Sequence, residues 1–293
     1  MTQNDGGASW TLNWLTVSTV AAWELILPRP PPGVVMNRQR HRAIMLDAMA
    51  IPRLPRPFLR FLHKGLGLKN FVDYIEQRQS LLGLTNLDIR TVIDIGANKG
   101  GAARGFLGFF PNAKIYCIEP IPKLCRRLEE WARVQGLAVE VLQVALSCER
   151  SEQSLYVDKR NDIWSTLLRP SPEKSSQYDQ IQVHVDTLDN VASELALAGD
   201  VLVKIDTEGL DLQVIRGGEA TLRRSTAVIV ESVFYPSPLG DDAPTFEDIS
   251  SALRELGYVY RGNVRLGCHQ GTPMLADVLF VRRDAAERMV EGA

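Results

Sequence analysis

The sequence predicts a doubly wound α/β domain: a mostly parallel sheet completed by an antiparallel C-terminal pair, behind an irregular amino-terminal extension. Three observations carry this. Four short apolar runs, 92–95, 115–118, 201–205 and 227–230, each stop at a carboxylate or a glycine-rich turn, as buried parallel strands do where they open onto a crevice. The first three feed segments with helical spacing, the alternation that a parallel sheet requires. The chain is 293 residues long and 45% hydrophobic, enough to bury one sizeable core with a smaller appendage.

The first run holds Val92, Ile93 and Ile95 and ends in D-I-G-A-N-K-G, residues 94–100. Asp94, Gly96, Asn98 and Gly100 are the candidate cofactor contacts of this turn. Gly96 and Gly100 allow a tight turn and a close approach of the backbone to a ligand. A dinucleotide fingerprint needs a second glycine at position 98, so that a pyrophosphate can lie against the backbone. Asn98 stands there instead, which favours a nucleoside without a pyrophosphate; S-adenosylmethionine is the commonest. The second run closes on Glu119-Pro120. An acidic residue about 20 positions after such a turn is placed to hydrogen-bond the ribose hydroxyls, and Pro120 cannot extend the strand. Residues 121–135 then read as a helix with Leu124, Leu128, Trp131 and Val134 on one face.

The third unit reads V-L-V-K-I-D-T-E-G over 201–209, followed by a helix through Leu212, Ile215 and Leu222; the fourth, 227–231, ends on Glu231. With D-I-G-A-N-K-G, I-E-P and an apolar strand closing on Glu around a K-I-D-T-E-G block, residues 71–283 resemble the FkbM-type family of S-adenosylmethionine-dependent methyltransferases. The resemblance implies a Rossmann-like methyltransferase sheet, S-adenosyl-L-methionine as cofactor, and O-methylation of a hydroxyl on a sugar, a glycolipid or a natural product. Residues 139–147 read as a further strand whose end borders the adenine. Family members carry N-x-A-L-S there; here Gln143 replaces the first residue and Ala145 is the candidate contact.

The remaining elements fit the same sheet. Residues 154–157 and 181–185 alternate like paired strands. Between them, 158–180 is polar, carries Pro170 and Pro172, and includes W-S-T-L at 164–167; an insertion of this length beside a crevice reads as a lid or substrate loop. Phe246, Ile249, Leu253 and Leu256 mark one helical face, and 257–260 with 278–281 form the antiparallel pair.

Composition narrows the partners. A net charge of −2 gives no general attraction to nucleic acid, so a small-molecule or glycan acceptor is expected. Cys117, Cys125, Cys148 and Cys268 show no metal-ligand spacing, which suits a reduced, cytoplasmic protein; Cys117 and Cys148 read as small apolar residues on or after buried strands. Residues 1–69 form the extension and 70–293 the methyltransferase domain. Trp10 to Leu27 is apolar but interrupted by Asn13 and Glu24 and lacks the basic start of a signal peptide. Seven prolines between 28 and 57 exclude one continuous helix, and 29–69 carries nine Lys or Arg against Asp47 alone. That arm is a solvated linker or a peripheral contact with an anionic surface. Residues 71–84 read as a helix under the sheet.

Methyl transfer to an alcohol needs a placed acceptor and a base for its proton. Asp206 and Glu208, where a strand gives way to a turn, are the candidate catalytic pair, on the expectation that residues two apart point the same way; the competing expectation is that they cap the following helix. Glu231 closes a three-carboxylate cluster with them. Such a cluster would suit a hard divalent cation, but nothing in the sequence requires one, and no metal ligand is assigned. Lys204 points the same way and moderates the charge. His184, on an alternating strand, and His269, in a Gly-rich turn, are alternative bases; His41 and His63 have no evident partner. The competing functions are an oxidoreductase on the same fold, disfavoured by Asn98, and a non-catalytic nucleoside-binding protein, disfavoured by the intact carboxylates.

Overall fold

The computed structural model describes Pro57, Ile75 and residues 80–160, 165–170, 173–234 and 243–291. The apolar stretch 10–27, the proline-rich basic arm, His41, His63, Trp164 and most of the expected helix 71–84 lie outside the described residues. The end of that helix is not formed: residues 80–83 make turns, with Gly83 at φ 93°.

Among the described residues ten strands form two sheets. In chain order they are β1 (Ile89–Ile95), β2 (Lys114–Ile118), β3 (Val139–Leu142), β4 (Ala145–Leu146), β5 (Ser151–Asp158), β6 (Tyr178–Asp186), β7 (Asp200–Ile205), β8 (Ala227–Val233), β9 (Tyr258–His269) and β10 (Thr272–Arg282). The main sheet runs β3-β2-β1-β7-β8-β10-β9. Its first five strands are parallel and its last two pairings antiparallel. The expected C-terminal pair is present, with Phe280 opposite Tyr260. Strand order reverses between β1 and β7, so a crevice opens at their carboxyl ends. The expected pairing of 154–157 with 181–185 is met by β5 and β6, which join β4 in a small second sheet.

Among the described residues the helices packed around the sheet include α1 (Gly101–Phe109), α2 (Pro122–Gln135), α3 (Leu188–Ser193), α4 (Asp211–Arg216), α5 (Glu219–Arg224), α6 (Phe246–Glu255) and α7 (Arg283–Glu291). Strand alternation sorts the core into two layers. Ile93, Ile95, Val203, Ile205, Val228 and Val230 pack on one face with Ile249 and Leu253 of α6. Val92, Leu202, Ile229 and Leu279 pack on the other with Phe106 of α1 and Met289 of α7. Among the described residues no helix is long and apolar enough to cross a membrane.

Four expectations are corrected. Residues 139–147 are not one strand: β3 belongs to the main sheet and β4 to the small one, because the chain turns where the Val144 amide donates to the Leu142 carbonyl at 3.1 Å. The helix expected through Leu212, Ile215 and Leu222 is two, α4 and α5. They break at Gly217 and Gly218, where a Cβ would overlap the Ser147 carbonyl and crowd Leu188. On α2 the inward face is Leu124, Cys125, Leu128 and Ala132, while Val134 is 62% exposed. Cys117 is buried as expected, but Cys148 is exposed.

Candidate active site

The crevice begins at the glycine turn. The amides of Gly96 and Ala97 both donate to the Ile118 carbonyl, at 2.9 and 3.1 Å, stitching the turn to the end of β2. Gly96 has φ 76°, and a Cβ there would overlap the Asp206 carbonyl. Its missing side chain therefore admits the neighbouring β7 turn. Asn98 has φ 48°, a left-handed conformation that Asn tolerates better than most residues. Gly100, at φ 76°, is the residue from which α1 starts.

Glu119 follows β2 and is 3% exposed. Its Oε2 accepts from the Asn98 amide and its Oε1 from the Ile121 amide, both at 2.8 Å. One carboxylate thus clamps the glycine turn to the start of α2. Pro120, the next residue, lines the cleft, as do Gly96, Asn98, Glu119 and Ala145. The apolar walls of the cleft include Ile95, Ile118, Ile121, Leu146 and Leu155. Of the expected cofactor contacts, Asp94 and Gly100 are not on its lining.

The expected lid segment reaches this cleft. Ser165, Thr166 and Leu167 line it. Thr166 pairs with Tyr156 through backbone hydrogen bonds of 3.0 and 2.9 Å, and its hydroxyl donates to the Glu208 carbonyl at 2.8 Å.

Asp206 and Glu208 border the same cleft. With Glu231 they bring carboxylate oxygens within 4.8 Å of one another, and all three are half-buried. The pairing arises from the turn and not from strand parity: β7 stops at Ile205, and Glu208 has φ 51°. The expected capping role is met by neither residue: the N-cap of α4 is Leu210, with no side-chain cap, and Asp211 instead braces the preceding turn, accepting from the Thr207 amide and hydroxyl and the Gly209 amide.

Register explains what surrounds the cluster. Asp94 is paired with Lys204, Lys204 with Ile229, and Asp277 with both Glu231 and Arg265. Positions two apart share a face, so Asp94, Lys204, Glu231 and Asp277 form a charged row at one end of the sheet. Lys204 Nζ lies 2.8 Å from Asp206 Oδ2 and 3.8 Å from Asp94 Oδ1. Arg265 bridges Glu231 at 3.1 Å and Asp277 at 2.8 Å. Arg265 and Asp277 were missed in the sequence, although Asp277 interrupts the apolar run 276–281.

Burial, and then the neighbouring Asp206, push Glu208 up to about 8 and Glu231 up to about 9. Burial raises Asp211 to about 6. Burial also raises Asp94, against the attraction of Lys204. For Lys204, burial opposes the charge, but Asp206 and Asp94 outweigh it and hold the ammonium protonated. The cluster has the oxygen donors a hard cation would use, yet Lys204 and Arg265 already engage Asp206 and Glu231. His184 is exposed and 3.0 Å from Glu152, and His269 is exposed; neither lines the cleft.

Residues 94–260 match the methyltransferase FkbM domain. The chain is 25% identical over 176 residues to the 2-O-methyltransferase NoeI of Sinorhizobium fredii, covering 56% of this chain and 72% of that protein. It is also 25% identical over 255 residues to the AMB antimetabolite synthetase AmbE of Pseudomonas aeruginosa, covering 73% of this chain and 12% of that much longer protein. Among solved structures, the precorrin-6y C5,15-methyltransferase of Geobacter metallireducens aligns at 12% identity and TM-score 0.39, over 70% of this chain and 89% of that one. The mitomycin 7-O-methyltransferase MmcR aligns at 16% identity and TM-score 0.36, over 77% and 60%. With the family's domain spanning more than half of its length, the chain belongs to the FkbM methyltransferases and is an S-adenosylmethionine-dependent enzyme.

Proposed function

We propose that the cleft between β1, β2 and β7 holds S-adenosylmethionine and that the enzyme O-methylates a hydroxyl of a sugar, a glycolipid or a natural product. The observation that carries this reading is one cleft with two chemistries: Glu119 and apolar walls at one side, Asp206 and Glu208 at the other. The donor set fits an adenosine, since the aliphatic walls suit a purine and a single buried carboxylate suits a ribose diol. Gly96, Asn98, Pro120 and Ala145 would complete that half; Asp94 and Gly100 would act from behind the lining.

When bound, the cofactor supplies a methyl carbon that the acceptor oxygen attacks as the carbon–sulfur bond breaks, the electron pair staying on sulfur. Asp206 takes the hydroxyl proton at Oδ1, the oxygen that Lys204 does not engage at 2.8 Å. Glu208, raised to about 8, holds a proton at neutral pH and can donate a hydrogen bond to the acceptor. Glu231 supports both by closing the cluster, and the Thr166 strap excludes water. The name of the relative NoeI, a 2-O-methyltransferase, favours oxygen as the atom methylated. The net charge of −2 gives no general attraction to a phosphate backbone, which favours a small-molecule or glycan acceptor over nucleic acid.

The test is transfer of a radiolabelled methyl group from S-adenosylmethionine to alkyl glycosides and polyhydroxylated natural products. Wild-type protein should label at least one, with alkali-stable incorporation, and Asp206→Asn should not. Full turnover by Asp206→Asn would remove Asp206 as the base.

A further inference from the structure

We infer that Lys204, anchored on the fully buried Asp94, is a positioning residue that fixes the Asp206 carboxylate toward the acceptor, and that Asp94 is this anchor and not a cofactor ligand. The inference rests on the reading of Asp206 as the proton acceptor.

Asp94 is completely buried, neither of its oxygens has a hydrogen-bond partner among the described residues, and it does not line the cleft. A carboxylate in that setting cannot contact a bound nucleoside without the cleft reopening around it. It must instead be compensated from inside the protein. The register places Lys204 directly opposite it on β7, with Nζ 3.8 Å from Oδ1. The same ammonium is 2.8 Å from Asp206 Oδ2, and the lysine side chain is only 10% exposed. The Ala103 amide of α1 adds a weaker attraction to Asp94. From the other elements Glu208, Glu231 and Asp277 face the row as acids, and Arg265 offsets Glu231 and Asp277 at its far end.

A single buried cation therefore stands between a fixed carboxylate and a half-exposed one. Lysine suits this because its charge is compact and its donors point several ways; a guanidinium fork would need more room and a planar partner. Held at Oδ2, Asp206 keeps its other oxygen free for the acceptor. Without Lys204 the Asp206 side chain would sample its other rotamers, and loss of about an ångström of placement costs on the order of 10²-fold in rate.

The experiment compares Lys204→Met, Asp94→Asn, the double variant, Lys204→Arg and Asp206→Asn. Its readouts are melting temperature, S-adenosylmethionine affinity by calorimetry, and kcat and KM on an alkyl glycoside that the wild-type enzyme methylates. Lys204→Met alone should melt early, because Asp94 loses its countercharge. Adding Asp94→Asn should restore most of the melting temperature, because a buried pair removed together is tolerated far better than a pair halved. In that folded double variant kcat should stay about 10²-fold low, with KM and cofactor affinity little changed, and Lys204→Arg should recover part of kcat. Recovery of wild-type kcat by the double variant would reduce Lys204 to a structural role and overturn the inference. So would loss of cofactor binding in a stably folded Asp94→Asn. If Asp206→Asn keeps full turnover, it is the base assignment that fails; if Asp206→Asn is inactive and the double variant is not, the positioning role alone fails.

Discussion

The backbone amide of Asn98 donates to Oε2 of Glu119 at 2.8 Å, and the other oxygen of the same carboxylate accepts from Ile121 at 2.8 Å. One side chain at the end of β2 therefore shapes two segments of the crevice. Glu119→Ala strands both amides, and losing a buried partner costs about 1–3 kcal/mol for each. Urea denaturation should show a loss of that order, and affinity for S-adenosylmethionine should fall at least about tenfold. Glu119→Gln, with one accepting oxygen left, should fall between.

Gly96→Ala tests the close approach of the two turns. The added methyl would overlap the Asp206 carbonyl, and φ 76° strains any L side chain. Strain and overpacking each cost about 1–3 kcal/mol, so the variant should melt well below wild type and lose turnover with it. Gly101→Ala, where a Cβ meets nothing within 4 Å, is the control and should fold normally.

Stability should fall as pH rises above neutrality. In the unfolded chain Glu208 and Glu231 ionise near 4.5, but burial and neighbouring carboxylates hold them at about 8 and about 9 in the fold. Across that interval the native state binds more protons than the unfolded state, so the slope of unfolding free energy with pH is negative. The contribution is complete below 4.5 and lost as pH climbs through 8 and 9. Melting temperature measured from pH 6 to 9 should decline, and Glu208→Gln should flatten the decline. Carboxylates held low, such as Asp186 and Asp248, act below pH 4 and do not alter the sign in this window.

Thr166→Ala should loosen the strap. It removes a hydroxyl that donates to the Glu208 carbonyl and accepts from the Leu168 amide, worth about 1 kcal/mol for each hydrogen bond. Hydrogen exchange should quicken over 165–168, and KM for the acceptor should rise more than global stability falls. Unchanged exchange would mean that the Tyr156 pairing alone holds the strap.

Chelation should leave methyl transfer unchanged. Lys204 already engages Asp206 and Arg265 already engages Glu231, so two of the three carboxylates have their charge offset from within. Activity lost to a chelator and restored by magnesium would show instead that the cluster takes a divalent ion.

The sequence made the central strands and their ends readable because each couples a mostly apolar run to a charged or glycine stop. Asp206, Glu208 and Glu231 were brought together by that logic, though for Glu208 the reason lay in a left-handed turn that strand parity does not describe. What stayed hidden depends on neighbours distant in the chain. Gly217 and Gly218 break a helix because Ser147 and Leu188 press against them. The run 139–147 divides because two sheets compete for it, a choice no local propensity records. Arg265 enters the site only through the β9–β10 register, whose bulges cannot be counted in advance.

The most direct test of the central claim is calorimetric titration of the wild-type protein and Glu119→Ala with S-adenosylmethionine, S-adenosylhomocysteine and NAD. The two sulfur nucleosides should bind wild-type protein with micromolar affinity and the variant at least about tenfold more weakly, while NAD binds neither. Equal affinity in wild type and Glu119→Ala, or binding of NAD in place of the sulfur nucleosides, would contradict the placement of the cofactor in this cleft.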